Sequence, residues 1–224
     1  MPEPTPVTTA ALPALPPLST QAETLIGLGV HEIAGLSAAD IRDLAKAGEA
    51  GEDGGLLAVH PDRAPASALA PLLRRDGKPG FVVVDMDDVD LFTPIDTVTV
   101  PDAPLYVLGG VDRGDHMANW SPDEALPALT AQDRTPLLLT EGIHWVLQQP
   151  AALERAHCFM TIGSRLRKAG GALDARTPAL WISNGTGRDG RERRNAPKAG
   201  WCWAGNRHTW LGFGSTTGRR LPDA

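Results

Sequence analysis

Four of the six tryptophans in this chain fall within residues 178–213, PALWISNGTGRDGRERRNAPKAGWCWAGNRHTWLGF, beside one of its two cysteines and a dense set of arginines. Aromatic residues make up only 5% of the sequence. Burying a large aromatic side chain stabilises a fold by about 2–3 kcal/mol, so any core must draw on this segment. Stacking on a ring ligand, at about 1–3 kcal/mol per ring, is the competing use of the same side chains. Trp201 and Trp203 are two positions apart and share a strand face, with Cys202 on the other. If residues 209–213 form the second arm of a hairpin, a two-residue turn puts Trp210 with the first pair and a three-residue loop puts it with Cys202. Gly205-Asn206 is turn chemistry without the favoured Asn-Gly order, which leaves both registers open.

The remaining elements are short. The proline-rich residues 1–19 carry no apolar run of signal-peptide length and are expected to be a disordered arm. Thr20 with Glu23 and Ser37 with Asp40 are capping-box patterns, predicting two helices in a small hairpin over 20–47, linked through Gly29 and Gly35. The acidic, glycine-rich residues 48–55 read as a linker before a larger α+β domain over 56–224. There, 56–59 and 81–84 are expected strands around a helix at 67–75, and 97–100 and 105–108 are two more. Ser121-Pro122-Asp123-Glu124 predicts a helix to about residue 129, and Thr140 caps another over 141–148, with Ile143, Val146 and Leu147 inward and Pro150 as its stop. Strands at 158–162, 179–183, 201–203 and 209–213 complete the pattern. The expected fold is α+β, a mixed, largely antiparallel sheet with packed helices and a small N-terminal helical hairpin.

Charge is unevenly placed. The chain carries -6, yet residues 188–220 hold eight basic side chains against two acidic ones, leaving the remainder at -12. An acidic body with one basic strip suggests a local anion site or internal pairing, and nucleic acid is not expected as a partner. No stretch reaches about 18 uninterrupted apolar residues, so no membrane span is expected. Cys158 and Cys202 have no CxxC spacing and read as reduced thiols of a cytoplasmic protein.

No complete catalytic or metal motif is present, and the residues name no cofactor. Gly185, Gly187 and Gly190 satisfy GxGxxG, but RERRNAP follows where a dinucleotide loop needs an apolar-faced helix, so the segment reads as a basic loop. Asp85, Asp87, Asp88 and Asp90 crowd one strand end without the glycine and terminal glutamate of a calcium loop, and are as well suited to pairing with the basic strip. No metal ligands are assigned. His157 neighbours Cys158 but points to the opposite face of a strand, whereas His208 could serve Cys202 if the hairpin register allowed it. Cys202 and His208 are therefore the catalytic candidates.

Several strings resemble a family of uncharacterised actinobacterial proteins, a domain of unknown function: Ser121-Pro122, Thr140-Glu141-Gly142-Ile143, Ile162-Gly163-Ser164-Arg165, residues 178–183, and above all residues 200–212, of GWCWAGNxHTWLG type. The resemblance implies no activity. It concentrates the expected site on Trp201, Trp203, Asn206, Arg207, Thr209 and Trp210, with Ser164 and Arg165 as polar partners, and treats 185–195 as an insertion at its rim. The function expected is binding of a small planar or anionic molecule at an aromatic and basic pocket. An accessory biosynthetic enzyme using Cys202 and His208, or an interaction module using the basic strip, are the alternatives.

Overall fold

The computed structural model describes residues 11–49 and 54–222. Helices are α1 (Leu18–Gly27), α2 (Val30–Ala34), α3 (Ala38–Gly48), α4 (Ala66–Leu69), α5 (Pro122–Ala131) and α6 (Leu139–Gln148). Strands are β1 (Leu56–Val59), β2 (Arg74–Arg75), β3 (Lys78–Pro79), β4 (Phe81–Val82), β5 (Phe92–Pro94), β6 (Leu105–Gly109) and β7 (Thr135–Pro136). They continue as β8 (Cys158–Met160), β9 (Ser164–Leu166), β10 (Arg176–Ile182), β11 (Pro197–Trp203), β12 (Leu211–Phe213), β13 (Ser215–Thr216) and β14 (Gly218–Arg220). This is an α+β fold with mostly antiparallel sheets and a small helical N-terminal region.

Two sheets organise it. One is three-stranded, in the order β1-β6-β14, and wholly antiparallel. The other has five strands, β12-β8-β10-β11-β4, in which β8, β10 and β11 pair antiparallel while β12 and β4 add parallel edges. Helix α6 packs against β1 and β10 and so lies between the sheets. All ten of its residues are buried, the polar ones included. The main core runs from Leu18 through β1, β6 and α6 to Ala199, and a second cluster fills the far side of the large sheet, where Ala125 and Leu129 of α5 meet Cys158, Met160, Ala179, Leu211 and Phe213.

Local signals account for the helix ends. The Ser37–Asp40 capping box forms with both reciprocal bonds, and Ser121–Glu124 repeats it. Thr20 and Glu23 do not cap: α1 begins earlier, after Pro17, with no side-chain cap. The N-terminal helices number three, because Gly29 and Gly35 both take left-handed backbone and set off Val30–Ala34 as a separate turn. Residues 1–10 of the expected arm, and 50–53 of the expected linker, lie outside the described residues. From Ala11 the arm is extended along the protein: Leu12 and Leu15 pack on the main core, and Gln149 Nε2 donates to Pro13 O at 2.7 Å. Gly55 also has no room for a side chain, since a β-carbon there would lie 2.6 Å from Leu108 O.

Three other expectations change. The helix expected at 67–75 stops at Leu69 and gives way to a 3-10 turn over Ala70–Leu72, because Pro71 has no N–H to continue the ladder. Residues 97–100 are not a strand; Val98 N donates to Ile95 O in a turn. The two strands expected around that helix are not sheet neighbours either, since β1 and β4 belong to different sheets.

The edge of the small sheet shows why polar groups are buried. β1 is an edge strand covered by helices, so its outward N–H groups need partners. Gln21 Oε1 of α1 accepts from Leu57 N at 2.9 Å, and His144 Nε2 of α6 accepts from Val59 N at 3.3 Å.

Candidate functional site

The tryptophan segment is not one hairpin. β11 pairs with β10, Trp201 opposite Pro178 and Trp203 opposite Arg176, while β12 pairs with β8. Two strands therefore separate the arms expected to touch, and the connection of the real hairpin is the glycine-arginine loop between Ile182 and Pro197. Strand alternation does hold: Trp201 and Trp203 share a face with ring centroids 4.5 Å apart, Trp201 against the main core and Cys202 against the second cluster.

That loop is pinned in place. Asp189 is buried and takes Ser183 Oγ and Lys198 Nζ, each at 2.7 Å. Asn195, with φ 74°, donates its backbone N–H to Ser183 O while Ser183 N donates to Ala196 O, and Lys78 Nζ donates to the carbonyls of Glu192 and Arg194. The GxGxxG string holds one 3-10 turn, Gly187–Asp189, and is followed by another, Arg191–Arg193, where a dinucleotide loop needs an α-helix. The basic strip and the aspartate cluster do pair: Arg188 meets Asp85 at 3.1 Å, while Arg176, outside the strip, meets Asp88 at 2.6 Å.

Folding brings together a different set of aromatic residues. The antiparallel register of β8 on β10 sets Met160 opposite Ala179, which carries Cys158 level with Trp181. Cys158 N donates to Trp210 O at 2.9 Å, which draws the start of β12 to the same end of the sheet. There Trp181, Ile182, Asn184, Ala156, His157 and Trp210 line a cavity of about 260 Å³. Lys198 Nζ lies 4.6 Å from the centroid of the Trp181 ring, and the His208 ring backs Trp210 at 4.9 Å. Trp203, opposite Arg176, is five residues along β10 from Trp181 and thus about 17 Å away along the strand.

His157 is held from behind. Its Nε2 lies 2.7 Å from Asp115 Oδ1, and Asp115 is itself clamped by Arg113, whose Nη2 is 2.6 Å from Oδ2. Arg113 also reaches Glu154 at 3.3 Å and the Ala152 carbonyl. Buried Arg113 thus links two carboxylates, one of them against His157, and the network fixes the floor of the cavity.

The other expected site residues are scattered. Asn206 Nδ2 reaches Cys202 Sγ at 3.7 Å, whereas the nearest ring to His208 is Trp210, so the two catalytic candidates have different neighbours. Arg207 pairs with Glu124 of α5 and Thr209 sits exposed in a turn. Ser164 Oγ accepts from Leu139 N at 3.0 Å, which caps α6 from outside because Leu138 at its N-cap has no side-chain acceptor. Arg165 donates to Asp174 O at 2.6 Å; burial lowers its pKa and the charges of Asp123 and Asp174 act against that. Sequence reasoning missed Trp181, His157 and Asn184 as site residues. The Leu-Trp-Ile string and the Trp-rich segment containing it were the available signal for the first.

A larger cleft of about 540 Å³ opens under Ala11–Leu15, lined by Gly110, Asp112, Arg113, Asp115, Trp145 and Gln149 among others. Its charged groups are matched internally, Arg113 by Asp115 and Asp112 by the N–H of Gly114, so the aromatic cavity is the better candidate. Among the described residues no helix is long and apolar enough to cross a membrane.

No curated protein and no solved structure matches this chain. A family model does, over residues 24–222, which takes in both sheets, α6 and every wall of the cavity; the chain belongs to the family of unknown function DUF5701.

Proposed function

We propose that this protein binds a small planar molecule between Trp181 and Trp210. The observation that carries the proposal is a cavity of about 260 Å³ lined by two indoles, Trp181 and Trp210, with Asn184 and His157 as its polar lining. Its volume lies just below the range of about 300–1,000 Å³ for small-molecule sites, which suits a ligand of one or two rings. Stacking on two indoles contributes about 1–3 kcal/mol per ring. The proposed site thus keeps Trp210 from the expected set, with His208 backing it, and replaces Trp201 and Trp203 by Trp181. Two unbonded thiols, Cys158 and Cys202, are compatible with the cytoplasmic location proposed for this activity.

The alternatives have less support. A thiol mechanism through Cys202 and His208 needs the two side chains together, and each has another neighbour. A nucleic-acid surface on the 188–220 strip has less charge than the sequence offers, because Arg188, Lys198, Arg207 and Arg219, half of its eight basic residues, are in internal ion pairs.

The test is tryptophan fluorescence and thermal shift across nucleobases, nucleosides and aromatic carboxylates. Quenching and stabilisation by at least one compound are expected, lost in Trp210→Ala and kept in Trp203→Ala. No response anywhere in the panel sinks the proposal.

A further inference from the structure

We infer that the ligand of the Trp181–Trp210 cavity carries a phosphate, taken by Arg155 and Arg194 at its rim. This rests on the planar-ligand reading above and adds the class of compound.

Arg155 immediately precedes Ala156, a lining residue, and its exposed guanidinium bonds to the side-chain carbonyl of Asn195. Arg194 leaves the loop beside the same edge. A β-carbon on Gly185 would lie 2.5 Å from Arg194 Cβ, so Arg194 is stacked on the glycine that follows Asn184, itself a lining residue. Asn195, which directly follows Arg194, accepts from Arg155 through its side-chain carbonyl and donates its backbone N–H to Ser183 O, which ties the two arginines to one edge.

Three carboxylates near this edge are committed elsewhere. Asp189 is engaged by Lys198 and Ser183, Asp115 by His157 and Arg113, and Glu154 by Arg113. Arg155 and Arg194 form no ion pair among the described residues. Two uncompensated guanidinium groups beside a ring-sized aromatic cavity match a ligand with a flat body and a compact dianion. The planar fork of arginine binds phosphate oxygens two at a time, and phosphate offers three such oxygens. The aromatic walls hold the ring and the rim holds the anion.

The experiment uses the full chain and pairs of compounds that differ by one phosphate: adenosine and AMP, uridine and UMP, pyridoxine and pyridoxine 5′-phosphate. Binding is followed by calorimetry at 50 mM and 300 mM salt. In at least one pair the phosphorylated member is expected to bind 10-fold or more tightly, with the gap narrowing at high salt. Arg155→Gln with Arg194→Gln should bring it to the level of its unphosphorylated partner and leave that partner's affinity unchanged. If unphosphorylated rings bind and phosphate adds nothing, or if the double variant keeps the preference, this inference is overturned while the cavity reading stands. If no member of any pair binds, both fall.

Discussion

Arg219 of β14 and Glu141 of α6 form an ion pair inside the protein, Nε 2.6 Å from Oε1, with side chains 3% and 0% exposed. Tyr106 donates to the same Oε1 at 2.7 Å, Leu138 N to Oε2 at 2.7 Å, and Arg219 also holds Thr135 Oγ1 and Pro136 O. Burial by itself would lower the pKa of Arg219, but Glu141 outweighs it and the pKa is raised. Burial, and then the Glu141 charge, push the Tyr106 phenol well above its ordinary range, so it acts as a neutral donor. Removing one partner strands the other's charge away from water. Arg219→Met should cost about 3–5 kcal/mol in urea unfolding. Glu141→Met with Arg219→Met should cost about 2 kcal/mol less than the two single changes added together; strict additivity would show the pair to be uncoupled.

His144 is fully buried and neutral. Burial takes its pKa down from 6.5 to about 4, while its Nε2 accepts from Val59 N. The unfolded chain takes up a proton between those values and the folded chain does not, so stability is full above pH 6.5 and falls as pH drops toward 4. The loss from this one residue is about 3 kcal/mol. Unfolding free energies at pH 7 and pH 4.5 should differ less in His144→Gln than in the parent chain. Equal pH dependence in both would assign the acid sensitivity to other groups.

Gly142 lies inside α6, where helix propensity alone favours alanine by about 1 kcal/mol. Packing decides the other way. A β-carbon there would lie 2.6 Å from Thr161 Cγ2, 3.0 Å from Leu180 Cδ1 and 3.2 Å from Phe159 Cε2. Overpacking costs about 1–3 kcal/mol, and threonine's branched side chain is stiff. Gly142→Ala should lower the melting temperature, and a rise would mean that α6 can move off the large sheet.

The two thiols should differ in reactivity. Cys158 is buried on the second core cluster, where burial and then Cys202 push its pKa well above the ordinary thiol range. Cys202 is half-buried. Iodoacetamide at neutral pH should modify only Cys202, and Cys202→Ser should leave the folded protein unlabelled. Mass spectrometry that finds Cys158 labelled in native conditions would contradict the packing around β8.

The serine caps at 37 and 121, the stop at Pro150 and the apolar runs of β1 and β6 were legible because each depends on residues within a few positions. The α6 pattern was half legible. Ile143, Val146 and Leu147 announce an inward face, but Glu141, His144 and Gln148 are buried too, through partners on β1, β6, β14 and α1. Nothing near them in the chain reveals that.

By itself, then, the sequence determined the α+β class, most element positions and the weight of the Trp-rich segment in the fold, all of which follow from periodicity, caps and composition. Only the tertiary structure decided that β11 pairs with β10, that β12 pairs with β8, and hence that Trp181 and Trp210 share a cavity with His157 while Trp203 lies at the other end of the sheet. Strand pairing is chosen by contacts far apart in the chain. Short strands with similar alternation leave several partners equally plausible until the sheet closes around α6.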